Sequence, residues 1–69
     1  MGITIDEALK KLYDKEVNCA ISSFWDGQWL VQIGDELNGF KAESTEVRIE
    51  DIAKTLIDMA KELYPLEDW

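Results

Sequence analysis

The stretch VNCAISSFWDGQWLVQIGDELNGF, residues 17–40, decides the fold. Its apolar residues recur at every second position, β-favouring types dominate, and Asp26-Gly27 and Asn38-Gly39 are turn-forming dipeptides. This predicts three antiparallel strands near 17–25, 28–35 and 40–44. A tight turn at Asn38-Gly39 opposes Leu37 to Phe40, Glu36 to Lys41 and Asp35 to Ala42. Since opposed residues share a face, Trp29, Val31, Ile33, Phe40 and Ala42 fall on the core side. The first hairpin admits two registers. A two-residue Asp26-Gly27 loop turns Val17, Cys19 and Ile21 away from that side. An odd-numbered loop, or a bulge near Trp25, returns them to it, and this is the register expected.

Outward from this centre the period changes. Ile5, Ala8, Leu9, Leu12 and Tyr13 follow the i, i+3, i+4, i+7, i+8 spacing of one buried helix face, which predicts a helix over 5–14. Thr4 and Glu7 have capping-box spacing. Beyond the strands, Ile49, Ile52, Ala53, Leu56, Ile57, Ala60, Leu63 and Tyr64 make a second helical stripe, stopped by Pro65. The expected fold class is α+β in the order α-β-β-β-α, with a three-stranded antiparallel sheet and both helices packed on one face. The other face is left open. Phe24 and Leu30 are its apolar members, a contact patch for a partner or a second copy, or two isolated exposed hydrophobes.

With 69 residues the chain is one domain, 1–69, too small for a deep substrate cavity. Its apolar fraction of 46% supports a compact core. Fifteen acidic residues against seven basic ones give a net charge of −8, which argues against binding nucleic-acid phosphates or anionic membranes. Histidine is absent, so there is no Ser-His or Cys-His dyad and no imidazole acid–base group. With one cysteine, no basic-then-apolar N-terminal segment and no long apolar run, the chain reads as cytoplasmic.

The charge is unevenly placed. Residues 1–15 hold three acids and three bases, so the whole of the −8 lies in residues 16–69. The topology sends Asp6, Glu7, Asp26, Glu46, Glu50 and Asp51 to one end of the sheet, opposed there only by Arg48. Asp35 and Glu36 mark the other end, with Glu62, Glu67 and Asp68. Acids at helix N-termini have a structural use, in that they complement the dipole, and surface acids aid solubility. The functional alternative is that Asp26, Asp35, Glu36, Glu43, Glu46, Glu50 and Asp51, spread over some ~26 Å of strand, stand where DNA phosphates would stand. Trp25, beside acids at the projecting first hairpin, suits an anchor for a protein partner or, equally, a ring packed over a helix end. Trp29 belongs to the core. Trp69 either covers the core or hangs loose.

Little else in the chain carries chemistry. Ser22 and Ser23 lack an activating base, and Cys19 falls on the buried face as a small core residue. Gly34 to Gly39 lacks the alternating ligands of a calcium loop, and Glu50 and Asp51, as helical neighbours, do not share a face. No catalytic residue, cofactor or metal is expected.

The element order is similar to that of double-stranded RNA-binding domains, but those need a basic second helix and this one opens Arg48-Ile49-Glu50-Asp51. The run of strand, Asp26-Gly27, strand, Gly39-Phe40, Ala42-Glu43 and helix resembles HicB-type antitoxin domains, although the leading helix is extra. Residues Asn18 to Trp29, followed by Gly34-Asp35 and Asn38-Gly39-Phe40, resemble small acidic phage and prophage proteins that include anti-CRISPR proteins directed at type I systems. That resemblance implies a non-enzymatic DNA mimic. It would block target-DNA binding by a type I Cascade effector complex, I-C among the candidates, in the host bacterial cytoplasm. The implied partner is a basic DNA-binding surface on an effector subunit, met by a monomer or weak dimer; the contact residues, Trp25 and the seven carboxylates named above, follow from the distribution of charge and not from the resemblance. The alternative is an antitoxin-like or assembly module that binds a protein through the open sheet face.

Overall fold

The computed structural model describes residues 2–25 and 27–69, in the order α1 (Ile5–Asp14), β1 (Cys19–Ser23), β2 (Trp29–Asp35), β3 (Gly39–Val47), a 3-10 turn (Ile49–Asp51) and α2 (Ile52–Leu63). The sheet is antiparallel in the order β1-β2-β3, and both helices lie against one side of it, as expected. The resulting two-layer slab measures 35 × 33 × 17 Å.

Each end of α1 has its own closure. Thr4 accepts the Glu7 N–H, and the Glu7 carboxylate accepts from the Thr4 N–H and hydroxyl, completing the capping box. At the other end the Val17 and Glu16 N–H groups donate to the carbonyls of Leu12 and Tyr13. This is a Schellman closure, and it holds Glu16 at φ 58, where glycine is the usual occupant. The reversal sends Val17 back under the helix and into β1.

The first hairpin takes the odd-numbered connection. Phe24 N–H donates to the Gln28 carbonyl, and β1 pairs Cys19 with Ile33, Ile21 with Val31 and Ser23 with Trp29. Val17, Cys19 and Ile21 therefore pack against the core.

The second hairpin departs from expectation. Asp35 pairs with Gly39 rather than Ala42, so Glu36, Leu37 and Asn38 form the loop. Leu37 faces Phe40 no longer and is almost wholly exposed, and Glu36 does not pair with Lys41. The cause is the Asp35 carboxylate. It accepts the Asn38 N–H at 2.7 Å and the Asn38 side-chain amide at 3.1 and 3.2 Å, gathering three residues into the turn where the dipeptide rule allots two. Phe40 then lies opposite Gly34 on the outer face, 42% exposed, instead of in the core. A bulge between Ile33 and Gly34 restores Ala42 to the core side. Gly34 has φ 119, and a Cβ there would sit 2.4 Å from the Gly39 carbonyl oxygen, so only glycine admits this approach. A second bulge, with Glu46 at φ 58, brings Val47 opposite Trp29 and into the core.

The core comprises Ala8 and Leu12 of α1, Val31, Ile33 and Val47 of the sheet, and Ile52, Ala53, Leu56, Ile57 and Ala60 of α2. Two apolar expectations fail at its margin. Ile49 belongs to the 3-10 turn and is mostly exposed, because the helix proper begins at Ile52. On α1, Ile5 and Leu9 are each 38% exposed and Tyr13 is 72% exposed, since the helix turns Ala8 and Leu12 inward and leaves this flank uncovered. Trp69 covers the helical layer: its indole N–H donates to the Tyr64 carbonyl, Lys11 donates to its backbone oxygen, and Lys15 lies 5.3 Å from its ring centroid.

Candidate functional site

The strand directions divide the candidate residues by height. β1 rises, β2 descends and β3 rises again, so the first hairpin, the end of β3 and the start of α2 share one end of the slab. Trp25, completely exposed, and the exposed Glu46, Glu50 and Asp51 belong to that end. Asp26 lies outside the described residues. Asp35 and Glu36 occupy the opposite end, in the β2–β3 turn. Glu43 stands between the two groups on the outer sheet face, where it accepts from the Gln32 side chain at 3.3 Å.

These acids do not form one cluster. They are strung along β3, from Asp35 and Glu36 before it, through Glu43 and Glu46 on it, to Glu50 and Asp51 after it. The cations are elsewhere: Lys10 and Lys11 on α1, Lys15 at its C-cap, and Lys54 and Lys61 on α2, leaving only Lys41 and Arg48 near the ridge. Residues 16–51 hold eight acids against two bases, so three-quarters of the −8 belongs to the sheet and its loops.

The carboxylates are not equally free. Asp35 also accepts the Asn18 side-chain amide at 2.7 Å, and the hydrogen bonds from Asn38, with that from Asn18, hold its pKa down to about 2. Glu50 pairs with Arg48 at 3.2 Å. The structure thus commits Asp35 to the turn and partly neutralises Glu50, leaving Glu36, Glu43, Glu46 and Asp51 as the acids most open to a partner. At the N-terminus of α1, Asp6 is held below the usual carboxylate range, chiefly by a hydrogen bond from Thr4. On α2, Asp58 pairs with Lys54 at 2.7 Å and, with a lesser contribution from Asp51, raises the lysine's pKa.

Apolar side chains add to the outer surface. Phe24, 54% exposed, and the half-buried Leu30 lie toward the first hairpin, and Phe40 lies on the same face toward the other end, opposite Gly34. Phe40 was not legible as an outer-face residue, because its place depends on the bulge opposite Gly34. Cys19 is half-buried, and burial pushes its thiol pKa up, away from a reactive thiolate. No three His, Cys, Asp or Glu residues are grouped as metal ligands among the described residues. No described helix is long and apolar enough to cross a membrane.

No family model matches the chain. Comparison with curated proteins and with solved structures likewise finds no match.

Proposed function

We propose that this protein is a non-enzymatic inhibitor that presents its acidic β3 ridge to a basic, DNA-receiving surface of a nucleic-acid-binding complex, in the bacterial cytoplasm. The observation that carries the reading is the uneven charge: residues 16–51, the sheet and its loops, hold eight acids against two bases, whereas the rest of the chain holds seven acids against five lysines. Nine residues of β3 span about 30 Å at ~3.3 Å each, a length over which DNA backbone phosphates recur at about 3.4 Å intervals. Fixed carboxylates on a sheet edge meet a cationic groove without ordering a flexible chain first, and they steer association through their field. The resemblance to small acidic phage proteins directs the proposal to a type I CRISPR effector, where stoichiometric blockage of target DNA requires no active site.

The test is competition. Purified type I Cascade is titrated with this protein and fluorescent target duplex over a salt series. Binding that excludes the duplex and falls at least about tenfold between roughly 50 and 200 mM salt is the expected result. The triple substitution Glu46→Lys, Glu50→Lys and Asp51→Lys is expected to abolish competition. Salt-independent binding, or a complex that still loads DNA, rejects the proposal.

The outward Phe40 favours a second reading, in which Phe24, Leu30 and Phe40 make the sheet face an antitoxin-like or assembly surface. Under that reading Leu30→Lys disrupts the complex and the triple charge reversal does not.

A further inference from the structure

The chain has two asparagines, Asn18 and Asn38, and unlike residues follow them. Cys19 follows Asn18, is half-buried and sets a side chain beside its own backbone nitrogen. Gly39 follows Asn38. Both are exposed at the β2–β3 turn, Gly39 has φ 90, and the place its Cβ would take has nothing within 4 Å. An asparagine before glycine is the pair most open to attack by the main chain on a side chain, because no Cβ shields the glycine nitrogen and the backbone there turns freely. The residue order supplies the pair, and the fold leaves it uncovered.

The side-chain amide of Asn38 is nevertheless held. Its Nδ2 donates to both oxygens of Asp35, at 3.1 and 3.2 Å, while the Asn38 backbone N–H donates to the same carboxylate at 2.7 Å. Asn18 steadies Asp35 in turn, donating to it at 2.7 Å. Nδ2 is the leaving group of any ring closure at Asn38, so the atom that must depart is the one that Asp35 grips.

We infer that Asn38-Gly39 is a site of spontaneous deamidation, and that Asp35 is the positioning residue that slows it in the folded chain. The Gly39 nitrogen gives up its proton and bonds to Asn38 Cγ, the Cγ–Nδ2 bond breaks, and ammonia carries the proton away. Water then opens the five-membered imide. Attack at Cγ leaves aspartate at position 38; attack at the other carbonyl leaves isoaspartate, with the main chain running through the side-chain carbons. Nothing is oxidised or reduced, and water is the only co-reactant. Closure draws Cγ onto the next residue and expels Nδ2, so neither of its bonds to Asp35 survives, and the turn must open locally first. In either product a carboxylate replaces the donor that faced Asp35. Like charges then meet where the Asp35 carboxylate had gathered three residues into the loop. The reaction needs no partner, so the inference stands or falls apart from the role proposed for the β3 ridge.

The test is ageing of the full chain in warm, mildly alkaline buffer, with proteolytic peptides read by mass spectrometry for the replacement of NH by O. Conversion is expected at Asn38 and not at Asn18, at least about tenfold slower in the folded chain than in unfolding urea. Asp35→Ser keeps an oxygen for the Asn38 N–H but cannot hold the side-chain amide on two oxygens, and is expected to speed conversion at least about fivefold with the fold kept, as judged by circular dichroism. Thr4→Ala removes the capping box at the start of α1 and lowers stability away from the turn; its rate is expected to stay within about twofold of native. The urea comparison needs no variant and decides the case if Asp35→Ser does not fold. Absence of conversion at Asn38 in urea, or a folded chain that converts as fast as the unfolded one, overturns the inference. So does Asp35→Ser ageing at the native rate, or Thr4→Ala matching a faster Asp35→Ser, since the gain would then come from global unfolding.

Discussion

Glu16 and Glu46 hold left-handed backbone, φ 58 in both cases, without the freedom of glycine. For Glu16 the reason is plain: the Schellman closure needs that conformation to turn Val17 under α1. Left-handed φ costs an L-residue roughly 1–2 kcal/mol, partly offset in glycine by its greater unfolded freedom, so Glu16→Gly is expected to stabilise the protein by about 0.5–1 kcal/mol in urea unfolding. Gly34→Ala acts the other way. Its Cβ would meet the Gly39 carbonyl oxygen at 2.4 Å, within the bulge that sets the β3 register, and a loss of about 3 kcal/mol or more is expected. Asp35 makes its turn sensitive to acid. Its folded pKa of about 2 is below its ordinary 3.8, so its contribution is present above pH ~4 and lost as pH falls toward 2. Urea midpoints measured across that window are expected to drop more for the native protein than for Asp35→Asn.

At the scale of elements, both helices were legible from spacing alone, and α1 follows its predicted bounds because the capping box and the closing turn are local chemistry. The start of α2 was misplaced. Ile49 has the spacing of the buried stripe, but the chain leaving β3 enters a 3-10 turn first, and helical phase cannot be counted through it. The second hairpin shows the same limit. Asn38-Gly39 signals a turn, yet whether two or three residues occupy it depends on Asp35, whose reach to Asn18 across the sheet is not local. One residue of difference moved Phe40 to the opposite face. The final tryptophan fastens the two helices together on their outer side, so Trp69→Ala is expected to cost about 2 kcal/mol through the lost indole hydrogen bond, cation–π contact and buried ring area.

Across the whole molecule, a charge of −8 on a slab 17 Å thick sets a repulsive field that neither layer screens fully. Added salt is therefore expected to stabilise the fold, with Tm rising roughly 2–5 °C between low salt and about 0.5 M NaCl in thermal scans. A Tm that falls with salt would mean that the few ion pairs outweigh the repulsion. The candidate ridge was only partly legible. That the charge lies beyond the first helix is visible in the residue order, and the strand directions place the acids at the two ends of the sheet. Which of them are free is not visible, because Asp35 is held by Asn18 and Asn38 and Glu50 by Arg48.

The sequence by itself determined the element order, the alternation of β2, the capping box of α1 and the segregation of charge, since each depends on residue type and short-range period; of the two registers open to β1 the structure takes the inward one. Only the tertiary structure decided the β2–β3 register, the outward turn of Phe40, the exposed flank of α1 and the open edge of β1. Those depend on how close two backbones approach at Gly34 and on which surface of each helix the single sheet is wide enough to cover.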